Sequence, residues 1–239
     1  MYADSLPPNV SGPSTPVETV LFDLDGTLLT YDQDPDEVLA EAYDRAGVEP
    51  FCEPTELWSL ADRVGDVETD HEFLTELWSV AADRHGGPSD GASHEALARA
   101  NEAATDHSAV SFRPGAEVAL DHVADGGHDL GVVTNGSRRT QRQKLEALSL
   151  DDHFETVVYA GEDTAPKPDR EPFDLALSHL DGRPGTSLYV GNSLEHDVVG
   201  AQRAGLRVAW LPGPFDPTDP GEHAPDHHLG SLTELRDVL

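Results

Sequence analysis

The sequence predicts an α/β fold: a parallel sheet core with helices on both faces, plus a helical block inserted after the first strand. Three observations predict it. From residue 116 onward, short apolar runs rich in β-branched residues alternate with helical segments, the pattern of βαβ units in a parallel sheet. Between residues 34 and 111 the apolar residues recur only at helical spacing. Polar residues able to do chemistry gather where strands end, and open parallel sheets bind their ligands at those ends.

The elements follow in order. Leu6–Pro16 is rich in Pro, Ser and Gly, so residues 1–16 are expected to form a disordered leader. Val17–Phe22 is an apolar run ending at Asp23 and reads as a buried strand, followed by the turn residues Asp25-Gly26-Thr27. Helical spacing marks Pro35–Ala46, Pro54–Val64, Glu68–Arg84 and Ser93–Thr105, with Phe73, Leu74, Leu77, Trp78 and Ala81 along one stripe and Ser93 as an N-cap. No strand is expected there, and Trp58 and Trp78 read as core of that block or as cleft lining. Strands are then expected at Leu130–Val133, Thr156–Tyr159, Ser187–Val190 and Val208–Leu211. Helices are expected at Glu117–Ala124, Arg138–Leu148, Pro172–Leu180 and Glu195–Ala204, with Gly127 and Gly205 as stops. Pro212–Pro225 is a loop, and Ser231–Leu239 a closing helix whose Ser231 and Glu234 form a capping box. The organisation is thus a Rossmann-like core made of 17–33 and 112–239, with a helical domain at 34–111.

Charge narrows the function. There are 46 Asp and Glu against 15 Lys and Arg, a net charge of −31 and a pI near 4.4. Such a surface repels nucleic-acid phosphates and anionic lipid, which argues against nucleic-acid and membrane roles. The acid is spread from Asp4 to Asp237 instead of forming a tail. Self-repulsion of this size is relieved by molar salt, so the chain is expected to be a salt-adapted cytoplasmic protein. The single cysteine, Cys52, makes an intramolecular disulfide impossible. No apolar run is long enough for a transmembrane helix, and residues 1–16 lack the cations and apolar centre of a signal peptide.

The strand ends carry the chemistry. The first ends in Asp23-Leu24-Asp25-Gly26-Thr27, the second in Thr134-Asn135-Gly136-Ser137. The loop after the third carries Lys167-Pro168, and the fourth ends in Gly191-Asn192-Ser193, with Asp197 just inside the next helix. Two carboxylates, a hydroxyl, a lysine and an amide–carboxylate pair describe a metal-plus-phosphate site. Asp23 is the candidate nucleophile toward phosphorus, and Asp25 the candidate acid toward the leaving oxygen and then base toward water. Thr134 and the Asn135 backbone N–H are candidate phosphate donors. Lys167 supplies positive charge, and Mg²⁺ would neutralise repulsion between an anionic substrate and Asp23. Only two lysines exist, Lys144 and Lys167, so finding one of them at this position favours a functional role.

These four segments, in this order, resemble the motifs of the haloacid dehalogenase-like hydrolases. Asp23-Leu24-Asp25-Gly26-Thr27-Leu28 is similar to the first motif and Thr134-Asn135-Gly136 to the second. Lys167-Pro168 with Pro172 and Phe173 is similar to the third, and Gly191-Asn192-Ser193-Leu194-Glu195-His196-Asp197 to the fourth. The resemblance covers residues 17 to 239 and implies that the helical block is a C1-type cap. It implies a phosphatase acting on a small phosphorylated metabolite through an aspartyl-phosphate. It also implies a Mg²⁺ site of Asp23, the Asp25 carbonyl, Asn192 and Asp197.

Asn192 departs from the pattern, because the family's phosphatases carry Asp there as a direct metal ligand. An amide oxygen still suits Mg²⁺ but brings one negative charge less. Three outcomes are open: Asp197 replaces the lost carboxylate, Asn192 ligates more weakly, or the site no longer uses Mg²⁺; the second is favoured because Asp25 is intact. The departure also admits a metal-independent 2-haloacid dehalogenase, which would have no use for Asp25, a phosphosugar mutase, or a binding protein on a retired hydrolase fold. No residue pattern names the substrate or the oligomeric state. Arg45, Arg63, Arg84, Arg99 and Arg113 are candidate anion contacts, with surface pairing the alternative. His227 and His228 lack partners at metal spacing and read as surface.

Overall fold

Strand β1 (Thr19–Phe22) lies at the middle of the computed structural model, which describes residues 16–65, 67, 69–213 and 219–239. The expected leader lies outside the described residues except for Pro16, as does part of the Pro212–Pro225 loop. β1 pairs in parallel with β4 (Asp129–Asn135) on one side and β6 (Ser187–Gly191) on the other, so Phe22 stands level with Val132 and Val190. β5 (Thr156–Ala160) extends one edge, and β7 (Arg207–Trp210) and β8 (His227–His228) extend the other, giving the order β5-β4-β1-β6-β7-β8.

Alternation along β1 sends side chains to two cores. Val20 and Phe22 pack with Ala119, Leu120 and Val123 of α5 (Ala116–Asp125) and Leu145 of α6 (Arg138–Ala147). Leu21 packs on the other face with Phe173, Ala176 and Leu177 of α7 (Glu171–His179) and Ala201 of α8 (Gly200–Ala204). Each fully buried side chain of this size contributes about 1.5–3 kcal/mol. The result is a mostly parallel sheet flanked by helices, as the alternation predicts.

Between β2 (Leu29–Tyr31) and β3 (Val110–Phe112) the chain runs through α1 (Pro35–Ala46), α2 (Pro54–Trp58), α3 (Asp70–His85) and α4 (Gly91–Ala104). These helices close their own core, in which Trp78, Tyr43 and Phe51 stack edge to face. Asp34 caps α1 through the Asp36 N–H, and Gly47 ends it in the left-handed conformation.

Several local expectations change. The helix expected over 54–64 breaks after Trp58, where the Ser59 hydroxyl donates back to the Glu56 carbonyl; a short 3-10 turn follows at Ala61–Arg63. Trp58 is 41% exposed, not core. Asp90, not Ser93, caps α4, and both the N–H and the hydroxyl of Ser93 donate to it. The helix expected over 195–204 opens as a π turn, Leu194–Val199, before α8. The closing segment is a 3-10 helix, Leu232–Asp237, in which Glu234 reaches Gly230 N–H instead of that of Ser231. β2, β3 and β8 were not expected, because runs of two or three residues carry no readable period. No helix among the described residues is long and apolar enough to cross a membrane.

Candidate active site

The parallel register brings the carboxyl ends of β1, β4 and β6 to one edge. Asp23 follows β1, and its backbone N–H donates to Val190 at 2.9 Å, continuing the ladder so that the carboxylate emerges over the sheet. Gly26 has φ +76°, and a Cβ there would meet the Asn192 side chain at 3.1 Å, so the turn closes tightly on the end of β6. Arg113 braces this turn by donating to the Gly26 and Pro212 carbonyls.

Lys167 is the hub. Its Nζ lies 2.8 Å from Asp23 Oδ1, 2.7 Å from Asp197 Oδ1, 3.0 Å from the Tyr189 hydroxyl and 3.1 Å from the Val133 carbonyl. Lysine and both carboxylates are almost wholly buried. Burial opposes the Lys167 charge, but Asp197 and Asp23 outweigh it and raise its pKa. Burial pushes the Asp23 carboxyl up to about 7; Lys167 opposes the rise and Asp197 adds to it. The loop carrying Lys167 is fastened to the end of β4 by a reciprocal pair: Asn135 Nδ2 donates to the Lys167 carbonyl and Lys167 N–H donates to Asn135 Oδ1.

Asp197, expected among the metal ligands, is placed against Lys167 and the turn after β6. Its Oδ1 accepts from Lys167 and the Tyr189 hydroxyl, and its Oδ2 accepts from the N–H groups of Asn192 at 3.0 Å and Ser193 at 2.9 Å. Asp197 therefore ties Lys167 to the β6 turn. The π turn brings it back to that point, and Gly191 makes room, since a Cβ there would lie 2.5 Å from Asp197 Cγ.

The remaining oxygen donors fit a hard cation. The Thr27 hydroxyl lies 3.0 Å from Asp23 Oδ2 and 3.2 Å from Asn192 Oδ1, so both oxygens face one point. A carboxylate and an amide oxygen suit Mg²⁺, which keeps several waters and takes few protein ligands. No group of three or more His, Cys, Asp or Glu among the described residues could hold a metal by itself.

Asp25 faces the other way. Lys144 Nζ lies 2.8 Å from each of its oxygens, and Gln141 Nε2 lies 2.8 Å from Oδ2. Gln141 Nε2 also reaches Thr134 Oγ1 at 2.7 Å and the Asn135 carbonyl at 2.8 Å. Burial opposes the Lys144 charge, but Asp25 and Tyr31 outweigh it and raise its pKa. Tyr31, on β2, packs its ring 5.1 Å from Lys144 Nζ, and its hydroxyl meets His107 Nδ1 at 2.8 Å on the segment returning from α4. Asp70, first in α3, accepts from Ser137 N–H at 3.0 Å and from the Thr140 hydroxyl at 3.2 Å, joining the helical segment to the start of α6.

Sequence reasoning missed Lys144, Gln141, Tyr189, Tyr31, His107 and Asp70. One signal was available: in a chain with two lysines, the scarcity that points to Lys167 points equally to Lys144, three residues beyond Gln141 and so on the same helix face. Arg45 and Arg99 pair with Glu41 and Glu95 on their own helices. His228 packs its ring against Trp210.

Residues 20–211 match the family model of the haloacid dehalogenase-like hydrolases. The chain belongs to that family. Phosphoserine phosphatase of Thermus thermophilus is 30% identical to this haloacid dehalogenase-like hydrolase, over 92% of the chain and 98% of its own length. The structure of YfnB, a hydrolase from Bacillus subtilis bound to magnesium, is 25% identical with a TM-score of 0.68, covering 94% of this chain and 99% of that one. A predicted phosphoglycolate phosphatase from Haemophilus somnus, 19% identical, shares the fold with a TM-score of 0.76 over 94% of this chain and 98% of its own. This family member is a phosphatase-type enzyme.

Proposed function

We propose that the chain hydrolyses the phosphomonoester of a small phosphorylated metabolite, with Asp23 as nucleophile, Asp25 as acid and base, and Mg²⁺ as cofactor. The observation that carries this is the division of labour around the two aspartates. Asp23 is buried and held by Lys167 and Thr27, and Asp25 stands half-open on the turn that follows it.

An Asp23 oxygen attacks phosphorus, the bond from phosphorus to the leaving oxygen breaks, and Asp25 delivers its proton to that oxygen. Asp25, now a carboxylate, takes a proton from water as the water oxygen attacks phosphorus. The bond to Asp23 breaks, phosphate leaves, and Asp23 returns as carboxylate. Lys167 offsets charge on Asp23 and the phosphoryl oxygens, and Thr134 and the Asn135 N–H donate to those oxygens. Asp23, Asn192 and the Asp25 carbonyl would hold Mg²⁺, which supplies Lewis-acid screening between the anionic substrate and the nucleophile. Asp197 acts on Lys167. The helical segment serves as a cap that encloses the leaving group. The acidic surface supports a cytoplasmic, salt-rich setting and partners other than nucleic acid or membrane.

The test is phosphate release from p-nitrophenyl phosphate and a metabolite panel, with and without Mg²⁺, at low salt and in roughly 2–3 M KCl. The expected result is Mg²⁺-dependent turnover, stronger in KCl and at least about 10³-fold lower in Asp23→Asn. Folded protein silent on every ester, or an unimpaired Asp23→Asn, would refute the proposal, and a metal-free 2-haloacid assay would then separate the dehalogenase from the binding-protein alternative.

A further inference from the structure

The two lysines of this chain are divided between the two aspartates of one turn: Lys167 against Asp23 and Lys144 against Asp25. We infer that Lys144, with Gln141, is a positioning residue that fixes the Asp25 carboxylate for proton transfer to the leaving group. This rests on the phosphatase proposal above.

The geometry is specific. Lys144 Nζ spans both Asp25 oxygens at 2.8 Å, and Gln141 Nε2 adds a third contact at 2.8 Å, so rotation of the carboxylate is blocked. Lys144 has a side chain only 6% exposed, whereas Asp25 is 36% exposed. A buried ammonium is costly unless its partner is well placed, and its ion-pair partner here is Asp25. Gln141 and Lys144 lie three residues apart on α6 and so share a face. Tyr31 closes the clamp from the far side, held by His107. Asp25 sits on the turn after β1 with its side chain 36% exposed, so without this clamp its carboxylate would sample several rotamers. Proton transfer needs donor and acceptor within hydrogen-bond reach, and lost orientation weakens it.

A positioning role for the acid makes a prediction that a fold-supporting role does not. Across substituted phenyl phosphates, from p-nitrophenyl to phenyl, leaving groups increasingly need a proton while shape hardly changes. In kcat/KM, Lys144→Met is expected to lose about 10²-fold on phenyl phosphate and only a few-fold on p-nitrophenyl phosphate, steepening the dependence on leaving-group basicity. Asp25→Asn should steepen it further, and adding Lys144→Met to Asp25→Asn should cost almost nothing more. Lys144→Gln, which keeps a donor, should recover part of the loss, and it is the variant to read if Lys144→Met does not fold. Equal losses on all esters, or a Lys144→Met loss that persists undiminished in the Asp25→Asn background, would overturn the inference while leaving the phosphatase proposal standing. A wild-type protein silent on these esters and on the metabolite panel would overturn both.

Discussion

The two lysine–aspartate pairs share a turn, yet they are built differently. Lys167 and Asp23 are sealed: their side chains are 2% and 8% exposed, and Asp197 and Tyr189 complete a closed network. Lys144 and Asp25 form a rim pair whose lysine is buried and whose carboxylate is 36% exposed. In the sealed pair, charge is fixed where a phosphoryl group would sit. In the rim pair, one group is held still while remaining open to a substrate oxygen or water. The difference teaches that neighbouring carboxylates of one motif acquire separate proposed roles from burial and partners, not from residue type.

The largest effect that would break this comparison is removal of the sealed lysine. Lys167→Met leaves Asp23 and Asp197 buried without their cation, and a loss of about 3–5 kcal/mol is expected from denaturant midpoints, together with loss of turnover. A stable Lys167→Met would mean the network is wetter than its burial indicates. Removal of the rim lysine should cost much less stability, since Asp25 can turn to solvent.

Acidity sharpens the comparison next. Asp23 is raised from its ordinary value to about 7 by burial, and the proposed attack needs its carboxylate, so activity is expected to fall as pH drops through that value. In magnesium-poor buffer the acid limb of kcat/KM is expected near pH 7. It should move to lower pH as Mg²⁺ is added, because a cation beside Asp23 favours the ionised form. A limb fixed near pH 4 at all magnesium levels would contradict the sealed character of the pair. For stability the sign is opposite: the folded state holds a proton on Asp23 that the unfolded chain releases, so this group's contribution falls as pH rises from about 4 to about 7.

The smallest effect concerns the contact between the helical segment and the core. Asp70→Ala removes two hydrogen bonds to Ser137 and Thr140 at the start of α6. Each is worth about 1 kcal/mol, so a rise of roughly 5- to 30-fold in KM with kcat nearly unchanged is expected. An unchanged KM would show that this contact has no part in holding substrate.

Legibility in the sequence follows the same division. Asp23, Thr134 and Asn192 stand at strand ends and Lys167 in the loop after β5, where alternation of strands and helices already places them on one edge. Asp197 was readable as a member of the site but not as the partner of Lys167, because the π turn that returns it to Lys167 leaves no trace in spacing. The rim pair was hidden for another reason. Lys144 and Gln141 sit mid-helix, where a polar residue reads as surface, and only the packing of α6 under the Asp25 turn turns that face inward. The β2–β3 pair that carries Tyr31 toward Lys144 is too short to show a period. Asp70 reads as an ordinary acidic first-turn residue of α3.

The most direct test of the divided roles is a pre-steady-state reaction of the Asp25→Asn variant with p-nitrophenyl phosphate and Mg²⁺. That leaving group needs no proton, so Asp23 should still be phosphorylated, while hydrolysis of the aspartyl-phosphate lacks its base. The account predicts one stoichiometric burst of p-nitrophenol followed by near arrest, with phosphate retained on Asp23 in the acid-quenched chain. Steady release at the wild-type rate without a burst, or a quenched chain bearing no phosphate on Asp23, would contradict it.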